Sequence, residues 1–210
     1  MKPFIPPEYW RRANRLVQTG SFLQPFRNFW FSHNKPEYFE FIRRANHLST
    51  VTHIDDRREG NSEPYVYHAQ RPALMAAFRL GIYGPGVTAA FLLHDAPEDH
   101  PDTCPIWLIR VLLGDYVAYL ADAMNKPDVF DKELLSQLQA KKVAAAGDVA
   151  IIIKGYERID NLFTPPADLM KYARKLDETE NNLLEYTKVE PLLYKDLRDA
   201  ILLGKIWLES

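Results

Sequence analysis

The stretch Phe91-Leu-Leu-His-Asp-Ala-Pro-Glu-Asp99 holds the residues best suited to chemistry. His94 and Asp95 stand side by side after an apolar run, and Glu98 and Asp99 follow within one helical turn. A helix that carries Val87, Ala90, Phe91 and Leu93 into a core delivers His94 and Asp95 to its edge. There an imidazole and a carboxylate can share one divalent cation. Such a cation acidifies water, and the carboxylates that follow are close enough to orient that water. The chemistry is metal-assisted hydrolysis. An HD dipeptide alone is also a common capping or surface pair, so the remaining donors must come from elsewhere in the chain.

The elements that would supply them lie on either side. Gly60, Asn61, Ser62 and Pro64 mark a loop that hangs Arg57 and Arg58 between a helix end and His68. Arginines in such a place are usually solvated, but they can also stack on a base or pair with phosphate. After His68, Leu74, Ala77 and Phe78 trace a helix closed by Gly81 and by Gly84-Pro85-Gly86, and the next helix leads to the HD pair. His68 thus opens one helix and His94 ends the next, and an antiparallel hairpin brings those ends together.

Further elements follow the same spacing. Trp10, Ala13 and Val17 form one helix face, and Phe39, Ile42, Ala45 and Leu48 another. Between them Phe22, Phe26, Phe29, Trp30 and Phe31 are expected to pack the first helices onto the body. This amphipathic arm could also support a homo-oligomer. Two helices are expected around Gly114, and another over Phe130 to Ala146 with Leu134, Leu138 and Lys142 in register. Val149 to Ile153 is continuously apolar, and its helical company decides for helix over buried strand. One or two helices from Asp168 to Trp207, interrupted near Pro191, close the chain. No two strands pair convincingly. The expected fold is an all-α bundle of about eight helices, with residues 1–50 as a helical extension packed on a domain spanning 51–210 in one globular unit.

Bulk properties narrow the classes. With 210 residues, 47% hydrophobic and 26% charged, the chain suits one sizeable core, and a net charge of -2 argues against general nucleic-acid binding. Cys104 is the single cysteine, which excludes an internal disulfide and fits a reducing compartment. The start lacks the apolar core of a signal peptide, and no run approaches the roughly 20 apolar residues of a membrane span. A cytoplasmic location without membrane partners is expected.

Four ordered segments resemble the HD phosphohydrolase superfamily, and within it the hydrolase domain of the RelA/SpoT alarmone enzymes and their small stand-alone relatives. Glu63-Pro-Tyr-Val-Tyr-His68 is similar to the family's E-P-Y-x-x-H, and Ala89 to Asp99 to its A-A-x-L-H-D-x-x-E-D-T. Thr103, Leu113-Gly-Asp-Tyr-Val-Ala118 and Asn125-Lys126 resemble its T…F-G-x-x-V-A…T-K run. Ile153-Lys-Gly-Tyr-Glu-Arg-Ile-Asp-Asn161 resembles V-K-L-A-D-R-x-x-N. The likeness covers Val51 to Leu162 well and the final helices loosely. It implies the HD-domain bundle, with His68, His94, Asp95 and Glu157 as ligands of a metal that is typically manganese. It also implies Glu98 and Asp99 as the catalytic pair, and Arg57, Arg58, Asn161, Thr164 and Met170 around a small nucleotide substrate. The implied reaction removes pyrophosphate from the 3' position of guanosine tetraphosphate or pentaphosphate (ppGpp and pppGpp).

Two departures matter. Glu157 stands where the family has Asp, and Asp160, one turn later, is the alternative fourth ligand. His100 stands where the family has Thr, and its expected account is an exposed loop side chain. His53, before the arginine loop, is expected to be structural. These departures leave two rivals: an HD-type nucleotide or deoxynucleotide phosphohydrolase, and an inactive nucleotide-binding HD protein.

Overall fold

The computed structural model describes residues 5–60 and 62–209. Its twelve α-helical segments include two, α4 (Val66–Leu80) and α10 (Asp148–Phe163), that are buried on most sides. α4 is rich in Ala and α10 in Ile, each with polar residues set among them, the pattern of helices surrounded by others rather than facing water. α4 packs against α1 (Glu8–Gln18), α5 (Pro85–Leu92) and α10, and α10 packs in turn against α12 (Pro191–Leu208). One continuous core runs from Trp10 through Phe91 and Ile153 to Ile201. At about 1.5–3 kcal/mol for each fully buried large apolar side chain, that core is the main stabilising term.

The chain breaks where turn residues stand. Gly81 takes a left-handed φ of 68° and ends α4, and Gly114 at φ 88° separates α7 (Ile106–Leu113) from α8 (Asp115–Met124). The closest helix approaches fall at two other glycines. A Cβ on Gly155 of α10 would lie 2.8 Å from Leu193 of α12. One on Gly204 of α12 would lie 2.6 Å from the Tyr172 hydroxyl of α11 (Leu169–Glu178).

Several details differ from the sequence expectation. More helices form than the eight expected: the aromatic stretch is itself a helix, α2 (Gln24–Ser32), ahead of α3 (Pro36–Thr52), and the short α6 (Ala96–Asp99) follows the HD pair. In α9 (Lys132–Ala145) the buried face is Gln139, Ala140 and Val143, whereas Leu134 is 45% exposed. Among the described residues there is no strand, only an isolated bridge between Arg57 and Pro64. The aromatic cluster does join the first helices to the body: Phe29 stacks on Tyr83 at 4.2 Å, and Trp30 donates to the Tyr83 carbonyl at 3.0 Å. No described helix is long and apolar enough to cross a membrane.

Candidate metal centre

α5 stops at Leu92, so His94 and Asp95 lie in the turn before α6 and not on a helix. That turn faces the first turn of α4, and the rings of His68 and His94 come within 5.1 Å. Nε2 of His94 lies 3.1 Å, and Nε2 of His68 3.5 Å, from Oδ2 of Asp95. Donors held about 2.0–2.2 Å from one cation at angles between 90° and 109° stand about 3.0–3.5 Å apart, so each imidazole nitrogen already has that spacing from the carboxylate oxygen, and all three donors lie within 4.8 Å of one another. His94 Nε2 is buried and makes no hydrogen bond, while its Nδ1 is fixed by the Phe91 carbonyl at 2.7 Å. A buried ring nitrogen aimed at a carboxylate without a hydrogen bond is a donor that a divalent cation would satisfy.

Asp160 settles the orientation of His68. Its Oδ2 receives His68 Nδ1 at 2.8 Å and Arg71 NH2 at 3.1 Å; its Oδ1 receives Trp10 Nε1 at 2.9 Å and Arg71 Nε at 2.6 Å. Both oxygens are therefore occupied by donors, and Asp160 stands behind the imidazole, where it cannot also serve as a fourth ligand. Burial works against its ionised form, but the Arg71 guanidinium and the His68 bond hold its carboxyl well below the usual range. Sequence reasoning missed this hub. The available signal was Arg71 inside an otherwise apolar helix, since a buried guanidinium demands a buried carboxylate.

Glu157 is buried near the centre and not grouped with its three donors. Its Oε2 lies 3.1 Å from Lys154 Nζ, and its Oε1 accepts from Asn161. Burial opposes its ionisation, but Lys154 and Arg158 keep it well below its ordinary value. Burial would likewise raise Asp95, yet His94 and His68 hold it low. Tyr65, to which sequence reasoning gave no role, donates its hydroxyl to Asp95 Oδ2 at 2.7 Å.

The two residues after the HD turn differ. Glu98 accepts from the backbone N–H of Lys126 at 2.9 Å and from its Nζ. Asp99 is raised above its ordinary value, by burial first and then by the negative charges of Asp95 and Glu98. That is the direction a proton acceptor near neutral pH requires.

A cleft of about 270 Å³ beside the centre is lined by Arg57, Arg58, Tyr65, Asn161, Thr164 and Lys175, among others. Arg58 donates to Asn161 at 2.8 Å and to Thr164 at 3.0 Å, so three of the expected binding residues meet. Arg57 instead turns back to the carbonyls of Ile54 and Asp56. Met170 is 80% exposed and does not line this cleft. Its place is taken by Lys171 and Lys175, the latter pushed down to about 8 by burial first and then by Arg158. A second cleft, of about 240 Å³, is lined by Lys126 and Lys154, which pair with Glu98 and Glu157, and by Lys132, Arg158 and Arg174. These basic residues were invisible in a near-neutral composition because acidic residues elsewhere cancel them.

The described chain is an all-α helical bundle with an imidazole–imidazole–carboxylate centre that could hold a divalent cation. Among solved structures it is similar to that of a metazoan orthologue of SpoT that hydrolyzes ppGpp and plays a role in starvation responses. The TM-score is 0.68 at 21% identity, over 76% of this chain and 93% of that one. At that identity the likeness speaks for the fold. No protein-family profile matches the chain, and no curated protein matches it.

Proposed function

We propose that the protein is a metal-dependent pyrophosphohydrolase acting on guanosine tetraphosphate or pentaphosphate alarmones. The observation that carries this reading is the meeting of His68, His94 and Asp95 donor atoms within 4.8 Å of one another, beside a cleft lined by Arg58, Asn161 and Thr164. His68, His94 and Asp95 would hold a divalent cation, manganese by the resemblance, with Glu157 as the fourth ligand once it leaves Lys154. When bound, that cation supplies charge to polarise a phosphate and to acidify water.

The chain's own groups account for the rest. Asp160 and the Phe91 carbonyl aim the two imidazoles, and Tyr65 aims Asp95. Asp99, with its raised pKa, accepts a proton from the attacking water, and Glu98, fixed by Lys126, orients that water. Arg58 and Lys175 meet the anionic nucleotide, with Asn161 and Thr164 holding Arg58 in place. Water forms a bond to the phosphorus attached to the 3' oxygen as the bond between those two atoms breaks; the 3' oxygen takes up a proton, leaving a 3' hydroxyl and free pyrophosphate. The basic residues of the second cleft neutralise charge on the departing group.

The test is a substrate panel with added manganese, scored separately for pyrophosphate and orthophosphate. Release of pyrophosphate from guanosine tetraphosphate is expected. Asp95→Ala should lose both metal and turnover, while Glu98→Gln should keep metal and lose most turnover. Turnover retained in both variants would eliminate this site, and orthophosphate from simple nucleotides would transfer the activity to another phosphohydrolase class.

A further inference from the structure

A second set of cation-type donors lies outside the HD centre. His53 caps the C-terminal end of α3, Asp56 follows three residues later on the way to the arginine pair, and His100 caps α6. Nδ1 of His53 is 2.8 Å from Oδ2 of Asp56, and Nε2 of His100 is 2.6 Å from the same oxygen. The two rings are 4.9 Å apart. His53 is 2% exposed and stacks on Tyr65 at 4.8 Å, so its ring has a fixed direction. His100 is thus not the free loop side chain expected from sequence.

We propose that His53, Asp56 and His100 form a second divalent-cation site, separate from the HD centre and suited to ions of the zinc class. Two imidazoles and one carboxylate are the donor set of open zinc sites, whereas magnesium and calcium favour oxygen donors. At metal–ligand distances of about 2.0–2.1 Å and tetrahedral angles, donor atoms stand about 3.3 Å apart, so the two contacts must each open by about 0.6 Å. Asp56 and His100 can rotate to allow it, because their side chains are 33% and 26% exposed, while buried His53 stays in place. The exposed side leaves a fourth position for water or a phosphate oxygen.

The placement says what the ion would do. Asp56 immediately precedes Arg57 and Arg58, and His100 immediately follows Glu98 and Asp99. A cation on these three side chains staples the basic loop to the segment that carries the acidic pair. Tyr65 stacks on His53 and donates to Asp95, so one side chain touches both centres. The site therefore orders the loop that faces the cleft and takes no part in bond breaking.

Zinc stoichiometry tests this without any activity assay. Full-length protein stripped with chelator is titrated with Zn2+ by calorimetry, and bound metal is counted by elemental analysis after gel filtration. Two equivalents are expected in the parent, one in His100→Gln, one in Asp56→Asn and one in Asp95→Asn, with melting curves in chelator confirming that each variant folds. One equivalent that survives His100→Gln and Asp56→Asn but disappears in Asp95→Asn overturns the second site and leaves the hydrolase reading standing. One equivalent with the opposite dependence supports the second site and removes the HD centre. No bound zinc in the parent overturns the proposal.

Discussion

Replacing Asp160 by asparagine tests the hub behind the HD centre. The carboxylate accepts four hydrogen bonds, from Trp10, His68 and twice from Arg71. Asparagine offers one acceptor oxygen and an NH2 group, so donors would face donors on one side. Removing one partner of a buried ion pair costs about 3–5 kcal/mol. Arg71 keeps Glu63 at 2.5 Å and Asn14 at 3.2 Å, which places the expected loss near the low end, about 3 kcal/mol. For a chain of this size that is a fall in Tm of about 6–12 °C. The pH dependence follows from the sign of the shift. The folded pKa of Asp160 is held below its ordinary 3.8, so its contribution is fully present above that value and fades as pH falls below it. The variant should lack that acid-side loss. Urea denaturation in excess chelator, from pH 7 down to pH 3, separates this effect from metal linkage, and a metal titration should show a 10–100-fold weaker affinity because His68 has lost its orienting partner. A variant as stable as the parent in chelator, yet unable to bind metal, would refute the hub and make Asp160 a ligand.

Further outcomes follow from the same geometry. Lys175 is pushed down to about 8, so affinity for an anionic nucleotide should fall as pH rises through that value; Lys175→Arg, measured by calorimetric titration, should flatten the fall. Asp99 is raised above its ordinary value by burial and by Asp95 and Glu98, so the acid limb of the rate profile should lie above that of an unperturbed aspartate, and Asp99→Asn should remove that limb together with most turnover. Gly155→Ala drives a methyl to 2.8 Å from buried Leu193 and should cost about 1–3 kcal/mol in denaturant titration, with partial recovery when Leu193→Val is added. Arg58→Ala should weaken nucleotide binding about tenfold or more while leaving metal stoichiometry unchanged, since Arg58 contacts Asn161 and Thr164 and no metal donor.

The residues show where local pattern suffices and where it fails. The helix faces of Trp10, Ala13 and Val17 and the turns at Gly81 and Gly114 follow from spacing and from backbone freedom at glycine, both local properties. The HD turn and His68 were legible because metal ligands must be particular residue types beside apolar runs. Met170, expected at the nucleotide only from the resemblance, is 80% exposed and outside the cleft lining, which depends on how α11 leans on α10. Helical periodicity likewise fell short at α9, since Leu138 and Gln139 are neighbours in sequence and only the partner helix chooses between them.

The sequence by itself determined a helical bundle and the candidate donors of the HD pair and His68, because periodicity and residue chemistry are carried by single segments; Arg58, Asn161 and Thr164 were named together only through the resemblance. The tertiary structure alone decided which partners Glu157 and Asp160 meet. They are three residues apart on α10 and project about 60° from each other. Which of them meets Arg71 and which meets Lys154 and Asn161 depends on where α1 and α4 deliver Trp10 and Arg71, a long-range fact that no local spacing contains.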